Sequence, residues 1–316
     1  MDDKQDSSTG NHLSSVEPQF PELMSLAKAA STLPSWRPFK RSRKPGHFIS
    51  NLKGRGMEYD ESRLYQAGDD IRHIDWRVTA RTGNTHTKLF REERDHPVYI
   101  AFDLNPRMFF ATRGVFKVVQ GARIAALVAW KAQQGGDRIS GQIFTGSTYL
   151  ESPLGGGPSS VARCLKLISN TSKRSLGKQE RGTKRSFTEN MERLRKLIRP
   201  GSSIFLISDF HELEAESQKV LSQIATRCDI TIVKIFDPFE ENLPRLKFVG
   251  TITDGTGNQV TLENISPLAR SRYREHFTSV KDRIAKFTKL NRARWIAVKT
   301  TDDALISMRQ LFSYHI

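Results

Sequence analysis

Three short, mostly apolar runs punctuate this chain: Val98–Leu104 (VYIAFDL), Ser203–Asp209 (SIFLISD) and Ile230–Phe236 (ITIVKIF). None alternates cleanly between apolar and polar positions, which is the pattern of strands covered on both faces in a parallel sheet. Each run carries an aspartate at or just beyond its C-terminal tip: Asp103, Asp209 and Asp237. Helical periodicity fills the gaps. Val118, Ala122, Ala125 and Ala129 share one face over Val115–Gln134, which Gly135-Gly136 stops. Further helices are expected over Ser159–Ile168, Thr188–Arg199 and Glu214–Arg227, with strands over Arg138–Phe144 and Ser147–Ser152. The alternation predicts an α/β fold, doubly wound around a mainly parallel sheet.

Past Pro244 the pattern changes. Lys247–Thr253 and Gln259–Glu263 flank DGTGN as a hairpin. Pro267–Leu290 predicts a long helix whose Tyr273, Phe277, Val280, Ile284 and Phe287 form one packing seam. Arg294–Lys299 reads as a last strand and Ala304–Phe312 as a last helix, capped by Thr301 or Asp302, so that 98–316 forms one domain. Upstream, residues 1–17 read as disordered, Pro21–Leu33 as a short helix and Pro34–Pro45 as a basic connector. Residues 1–45 are thus a partly disordered N-terminal segment. Residues 46–97 form a glycine- and charge-rich segment expected to pack on the core, with short strands around Thr87–Phe90.

Charge adds a question about partners. The 316 residues carry a formal net charge of +16, supplied by three basic blocks at 37–44, 171–200 and 270–294. Such clusters suit an acidic protein, an anionic membrane surface or nucleic acid, or they are simply a solvated surface. No zinc-finger spacing, RNA-binding aromatic motif or helix-turn-helix signature accompanies them, so nucleic acid is the weakest of these readings. Cys164 and Cys228 are too few for a disulfide framework and read as small buried hydrophobes. No apolar run matches a membrane span and MDDKQDSSTGN has no signal-peptide core, so a cytoplasmic protein is expected.

Residues 54–88 hold six acids and six bases, too balanced for a phosphate-binding patch. Interleaved Asp and Arg favour carboxylate–guanidinium pairs that pin loops together, with a turn at Gly68-Asp69-Asp70. Two other readings stay open: a catalytic or metal-binding cluster of Asp69, Asp70 and Asp75, with His73 beside them, and a docking surface for a protein.

In open parallel sheets ligands bind beyond the C-terminal strand ends, where Asp103, Asp209 and Asp237 are expected. Asp103-Leu104-Asn105-Pro106-Arg107 resembles the first metal motif of the von Willebrand A fold, whose site combines Asp-x-Ser-x-Ser, a Thr in a glycine-containing loop and a later Asp. Carried over by position, the resemblance implies a degenerate Mg²⁺ site of Asp103, Asn105, Ser159 (from the loop Gly155–Ser159) and Asp209. Arg107 stands where the second serine would be. A guanidinium cannot ligate Mg²⁺, so a fixed cation near Asp103 is the alternative to the metal.

The segment ahead of that strand sharpens the family. Gly54, Gly56, Glu58 and Tyr59, then Arg63, Tyr65, Gly68, Asp69, Asp70, Arg72, Asp75 and Trp76, then Arg81, resemble the signature of the bacterial domain-of-unknown-function 58 family. Members typically carry a von Willebrand A-like region, and many are encoded beside a MoxR-type AAA+ ATPase and further von Willebrand A proteins. The resemblance implies those partners and a part in complex assembly or maturation, but no catalytic residue. No Walker loop, dinucleotide fingerprint or nucleophile–base pattern is present. The expected function is a non-enzymatic adaptor without a cofactor. The alternatives are a Mg²⁺-dependent ligand-binding module, a hydrolase built on Asp69, Asp70 or Asp75, and nucleic-acid binding through the basic blocks.

Overall fold

The computed structural model describes residues 14–35, 57–92, 96–176, 185–243, 250–253, 259–262 and 266–313. In chain order the elements are α1 (Phe20–Ser25), α2 (Ala27–Ser31), β1 (Met57–Leu64), α3 (Trp76–Thr82), β2 (His86–Glu92), β3 (Pro97–Asp103), α4 (Lys117–Gln134), β4 (Arg138–Phe144) and β5 (Tyr149–Glu151). There follow α5 (Pro158–Ser175), α6 (Phe187–Leu197), β6 (Ser203–Ser208), α7 (Ala215–Ala225), β7 (Asp229–Phe236), α8 (Pro238–Glu241), β8 (Gly250–Thr253), β9 (Gln259–Leu262), α9 (Pro267–Asn291), β10 (Arg294–Lys299) and α10 (Ala304–Ser313). Single 3-10 turns occur at Ile71–His73 and Pro106–Met108. The chain divides into two units, residues 43–95 and residues 1–42 with 96–316.

In the larger unit six strands run in the order β10-β7-β6-β3-β4-β5. All are parallel except β5, which returns antiparallel to β4. The lack of alternation in the apolar runs has a direct cause: both sheet faces are covered. Val98, Ile100 and Phe102 of β3 join the cluster built with α1, α2, α4, α5 and α10, whereas Tyr99 and Ala101 join the cluster built with α6, α7 and α9. Phe102 is wholly buried, which stabilises the fold by about 2 kcal/mol. Helix α4 approaches β3 and β6 so closely that a Cβ on Gly121 would lie 2.8 Å from Phe102 Cε2 and 3.2 Å from Ile207 Cγ2.

Several expectations are corrected. Residues 14–17 are structured, and Phe116 N donates to Ser15 O at 2.9 Å; residues 1–13 lie outside the described residues, as do 36–45 of the basic connector. The expected helix over Pro21–Leu33 is two helices with a turn at Leu26. Side chains of α4 hold both, Trp130 Nε1 donating to Leu23 O (3.2 Å) and Gln134 Nε2 to Ala27 O (2.9 Å). Helix α5 runs on to Ser175, through what reads as a basic loop, because Thr171 and Ser172 are buried and Ser172 Oγ donates back to Ile168 O (2.8 Å). The hairpin after Pro244 is present as β8 and β9.

In the smaller unit β1 and β2 form an antiparallel ladder from Leu64↔His86 to Met57↔Glu92. Between them lie the 3-10 turn and α3. Gly68 and Gly83 both take positive φ (107° and 76°), the second as the left-handed cap that ends α3.

Candidate functional site

The parallel register brings the three strand-tip aspartates to one edge of the sheet, and each is already occupied. Asp103 Oδ1 accepts from Asn105 N (2.9 Å) and Oδ2 from Ser208 Oγ (2.6 Å). Asp237, fully buried, accepts from Thr112 N and Oγ1 (2.9 and 2.6 Å), Thr300 Oγ1 (2.9 Å) and Phe239 N (2.9 Å), thereby capping α8. Asp209 Oδ1 accepts from His211 N (3.0 Å), and its Oδ2 receives Lys117 Nζ at 3.0 Å.

Lys117 is the group that sequence reasoning missed. It opens α4 with a side chain only 1% exposed and bridges Asp209 to Glu240 Oε1 at 2.6 Å. A second lysine, Lys234, is also buried and donates to the Asp209 carbonyl at 2.6 Å. Two signals were present in the chain. Lys117 lies one turn before Gly121, on the buried side of α4, and Lys234 interrupts the apolar run ITIVKIF.

Electrostatics follow from this packing. Burial pushes the Asp103 carboxyl up to about 7, and the neighbouring Asp209 charge adds to the shift. Burial opposes the Asp209 charge too, but Lys117 and Lys234 outweigh it and hold that carboxyl well below the usual range. Burial likewise pulls Lys117 down, and Asp209 with Glu240 more than restore it, so its ammonium titrates above the ordinary lysine value. Lys234 is less compensated and burial lowers it to about 8. Burial, then Arg107, lowers His211 to about 4. A cleft of about 120 Å³ opens here, lined by Arg107, His211, Lys234, Tyr273 and His276 among others; the two histidine rings lie 5.1 Å apart.

The four residues carried over as a Mg²⁺ site do not converge. Asp103 and Asp209 share the C-terminal edge, and Asn105 follows Asp103 in the adjoining turn. Ser159 does not join them. The glycine loop bridges back to the start of β4, Ile139↔Gly155, whereas Asp103 pairs with Phe144 at its end. Five residues of strand separate those pairings, about 16 Å at the rise of an extended chain. With Asp209 already neutralised by ammonium groups, the residues present do not fit the ion. Among the described residues no group of three or more His, Cys, Asp or Glu is placed to hold a metal. The buried cations of this edge are Lys117 and Lys234; Arg107 is exposed at the cleft.

The described residues of the signature segment show where its acids are spent. Among those residues one ion pair is present, Arg63 Nη2 to Asp69 Oδ1 at 2.6 Å. The Gln66 amide and Arg63 together hold Asp69 below the usual carboxylate range. Asp70 caps the 3-10 turn through Arg72 N (2.9 Å). Asp75, buried, accepts from Ser62 Oγ (2.8 Å) and from Arg77 N and Val78 N (3.2 Å each), fixing the start of α3. The bond from Ser62 and the helix amides lower its carboxyl. Tyr65 OH donates to Asp69 O at 3.3 Å, and Trp76 is exposed. Gly54 and Gly56 lie outside the described residues; Glu58 and Tyr59 stand on β1, paired with Arg91 and Phe90.

The model of the family described as "Protein of unknown function DUF58" matches residues 61–283. The chain belongs to the DUF58 family. That match takes in the signature residues from Arg63 to Arg81 and the strands from β3 through β7. The DUF58 chain is also similar to uncharacterized protein Rv1480 of Mycobacterium tuberculosis and uncharacterized protein Mb1516 of Mycobacterium bovis. Each is 25% identical over 260 residues, covering 82% of this chain and 80% of the relative. Among the described residues no helix is long and apolar enough to cross a membrane.

Proposed function

We propose that this DUF58 protein is a non-enzymatic, cytoplasmic adaptor that works with a MoxR-type AAA+ ATPase and further von Willebrand A proteins in assembling or maturing a larger complex. The supporting observation is that each strand-tip carboxylate is committed internally: Asp103 to Ser208, Asp209 to Lys117, and Asp237 to Thr112 and Thr300. Such an edge is a rigid platform for loops, its carboxylates engaged by internal donors. Asp69, Asp70 and Asp75 of the signature segment are likewise committed to caps and to Arg63, which argues against a hydrolase centred on them. The partner class rests on the family resemblance.

The test mixes the full chain with the MoxR-type ATPase of the same genome, without nucleotide, and measures complex mass by size exclusion with light scattering. A complex that persists in EDTA is expected. Absence of a complex overturns the partner. A complex lost in EDTA, restored by Mg²⁺ and abolished by Asp103→Ala would favour the metal-dependent module instead.

A further inference from the structure

Among the described residues of the signature segment, acids and bases are used asymmetrically. Residues 62–88 hold three acids and five bases, and all three acids, Asp69, Asp70 and Asp75, are consumed inside the unit by a guanidinium or by backbone amides. Arg72, Arg77 and Arg81 are exposed and form no ion pair among the described residues. Beside them stand large apolar side chains without cover: Trp76 is 68% exposed, Ile71 67% and Leu64 58%.

These groups belong to one end of the β1–β2 hairpin. Leu64 pairs with His86, whose carbonyl also accepts from Asp75 N at 2.8 Å. Trp76 is the first residue of α3, immediately after its Asp75 cap, so its exposure is built into a capped helix rather than a slack loop. Singly scattered apolar residues are ordinary on a surface. Here three occur at one hairpin end with three arginines that form no ion pair among the described residues, and Trp and Arg are the side chains that dominate binding energy at protein interfaces.

We infer that residues 64–81 form a docking face for an acidic protein segment carrying an apolar anchor, the anchor seated against Trp76 and Ile71 and its acidic flanks on Arg72, Arg77 and Arg81. This rests on the adaptor reading and gives it a location. Charge selects the occupant. A second copy of this chain would bring its own +16 to the same cations. Nucleic acid would satisfy the arginines and stack on Trp76, but it would leave the aliphatic surface of Ile71 and Leu64 unused.

The test uses the full chain and a labelled Glu/Asp-rich peptide with one central Phe, read by fluorescence anisotropy. Binding that weakens with salt is expected, with losses of at least about tenfold for Trp76→Ala and for Arg77→Glu/Arg81→Glu, and when the peptide Phe becomes Ala. A control reversal outside residues 64–81, Arg274→Glu on α9, should leave affinity within about twofold, because binding energy concentrates in the few residues of the face itself. No binding to the wild type, or equal binding to Trp76→Ala and the double reversal, overturns the docking face. Displacement of the peptide by single-stranded DNA of equal charge at equal concentration also overturns it, in favour of nucleic acid. Repeating the variants on the ATPase complex separates the two proposals. A complex indifferent to Trp76 and the arginines sinks the docking face and spares the adaptor, whereas peptide binding without any complex does the reverse.

Discussion

Lys117 Nζ lies 3.0 Å from Asp209 Oδ2, with side chains that are 1% and 10% exposed. The charge that a parallel sheet would otherwise present at its C-terminal edge is thus cancelled from within, by a residue of the helix that packs against the central strand. Glu240 joins at 2.6 Å and ties α8 to the same ammonium. Removing one member of such a buried set leaves a bare charge, whose cost exceeds what the intact pair contributes.

Lys117→Met should therefore destabilise the protein by about 3 kcal/mol, read as a lower urea midpoint. Adding Asp209→Asn should recover part of that loss, because the stranded carboxylate goes with it. Losses that simply add would show that the two residues are not coupled.

Asp103 predicts a pH signature. Its folded value of about 7 lies above the ordinary 3.8, so the folded state binds the extra proton between those limits. Stability should then fall as pH rises through that window, and Asp103→Asn should remove the fall. His211 works in the opposite direction. Its folded value of about 4 lies below the ordinary 6.5, so its contribution makes stability rise with pH between them. The informative quantity is the difference between wild-type and Asp103→Asn unfolding free energies across pH; a flat difference would contradict a raised Asp103.

Gly121→Ala should cost about 1–3 kcal/mol through overpacking, since the added methyl would meet Phe102 Cε2 at 2.8 Å. Thermal unfolding reads it directly. A variant as stable as the wild type would mean that α4 can retreat from the sheet.

Millimolar MgCl₂ should leave the melting temperature unchanged, and calorimetry should detect no heat of binding, because Ser159 lies at the far edge and Asp209 already holds Lys117. A stabilisation that Asp103→Ala abolishes would reverse that conclusion.

Much of the architecture was legible along the chain. Val98–Leu104, Ser203–Asp209 and Ile230–Phe236 lie within a residue or two of β3, β6 and β7, and Tyr273, Phe277, Val280, Ile284 and Phe287 do lie on one helix, α9. Those features are periodic, and periodicity records how each element meets its immediate surroundings. The candidate site was only half legible. Asp103 and Asp209 were placed at one edge correctly because strand direction follows from the parallel pattern. Ser159 was not, since nothing in Gly155–Ser159 reveals that this loop turns back to pair with Ile139.

The sequence by itself determined the α/β alternation, the strand-tip acids and the membership signalled by Gly68-Asp69-Asp70 and Trp76. Only the tertiary structure decided what those acids do. A carboxylate's role depends on which donors lie within about 3 Å. The donors here arrive from distant elements: Lys117 for Asp209, Ser208 for Asp103, and Thr112 and Thr300 for Asp237. Within the signature segment the same logic runs at short range, where backbone amides two or three residues away take Asp70 and Asp75 and leave Arg72, Arg77 and Arg81 facing solvent.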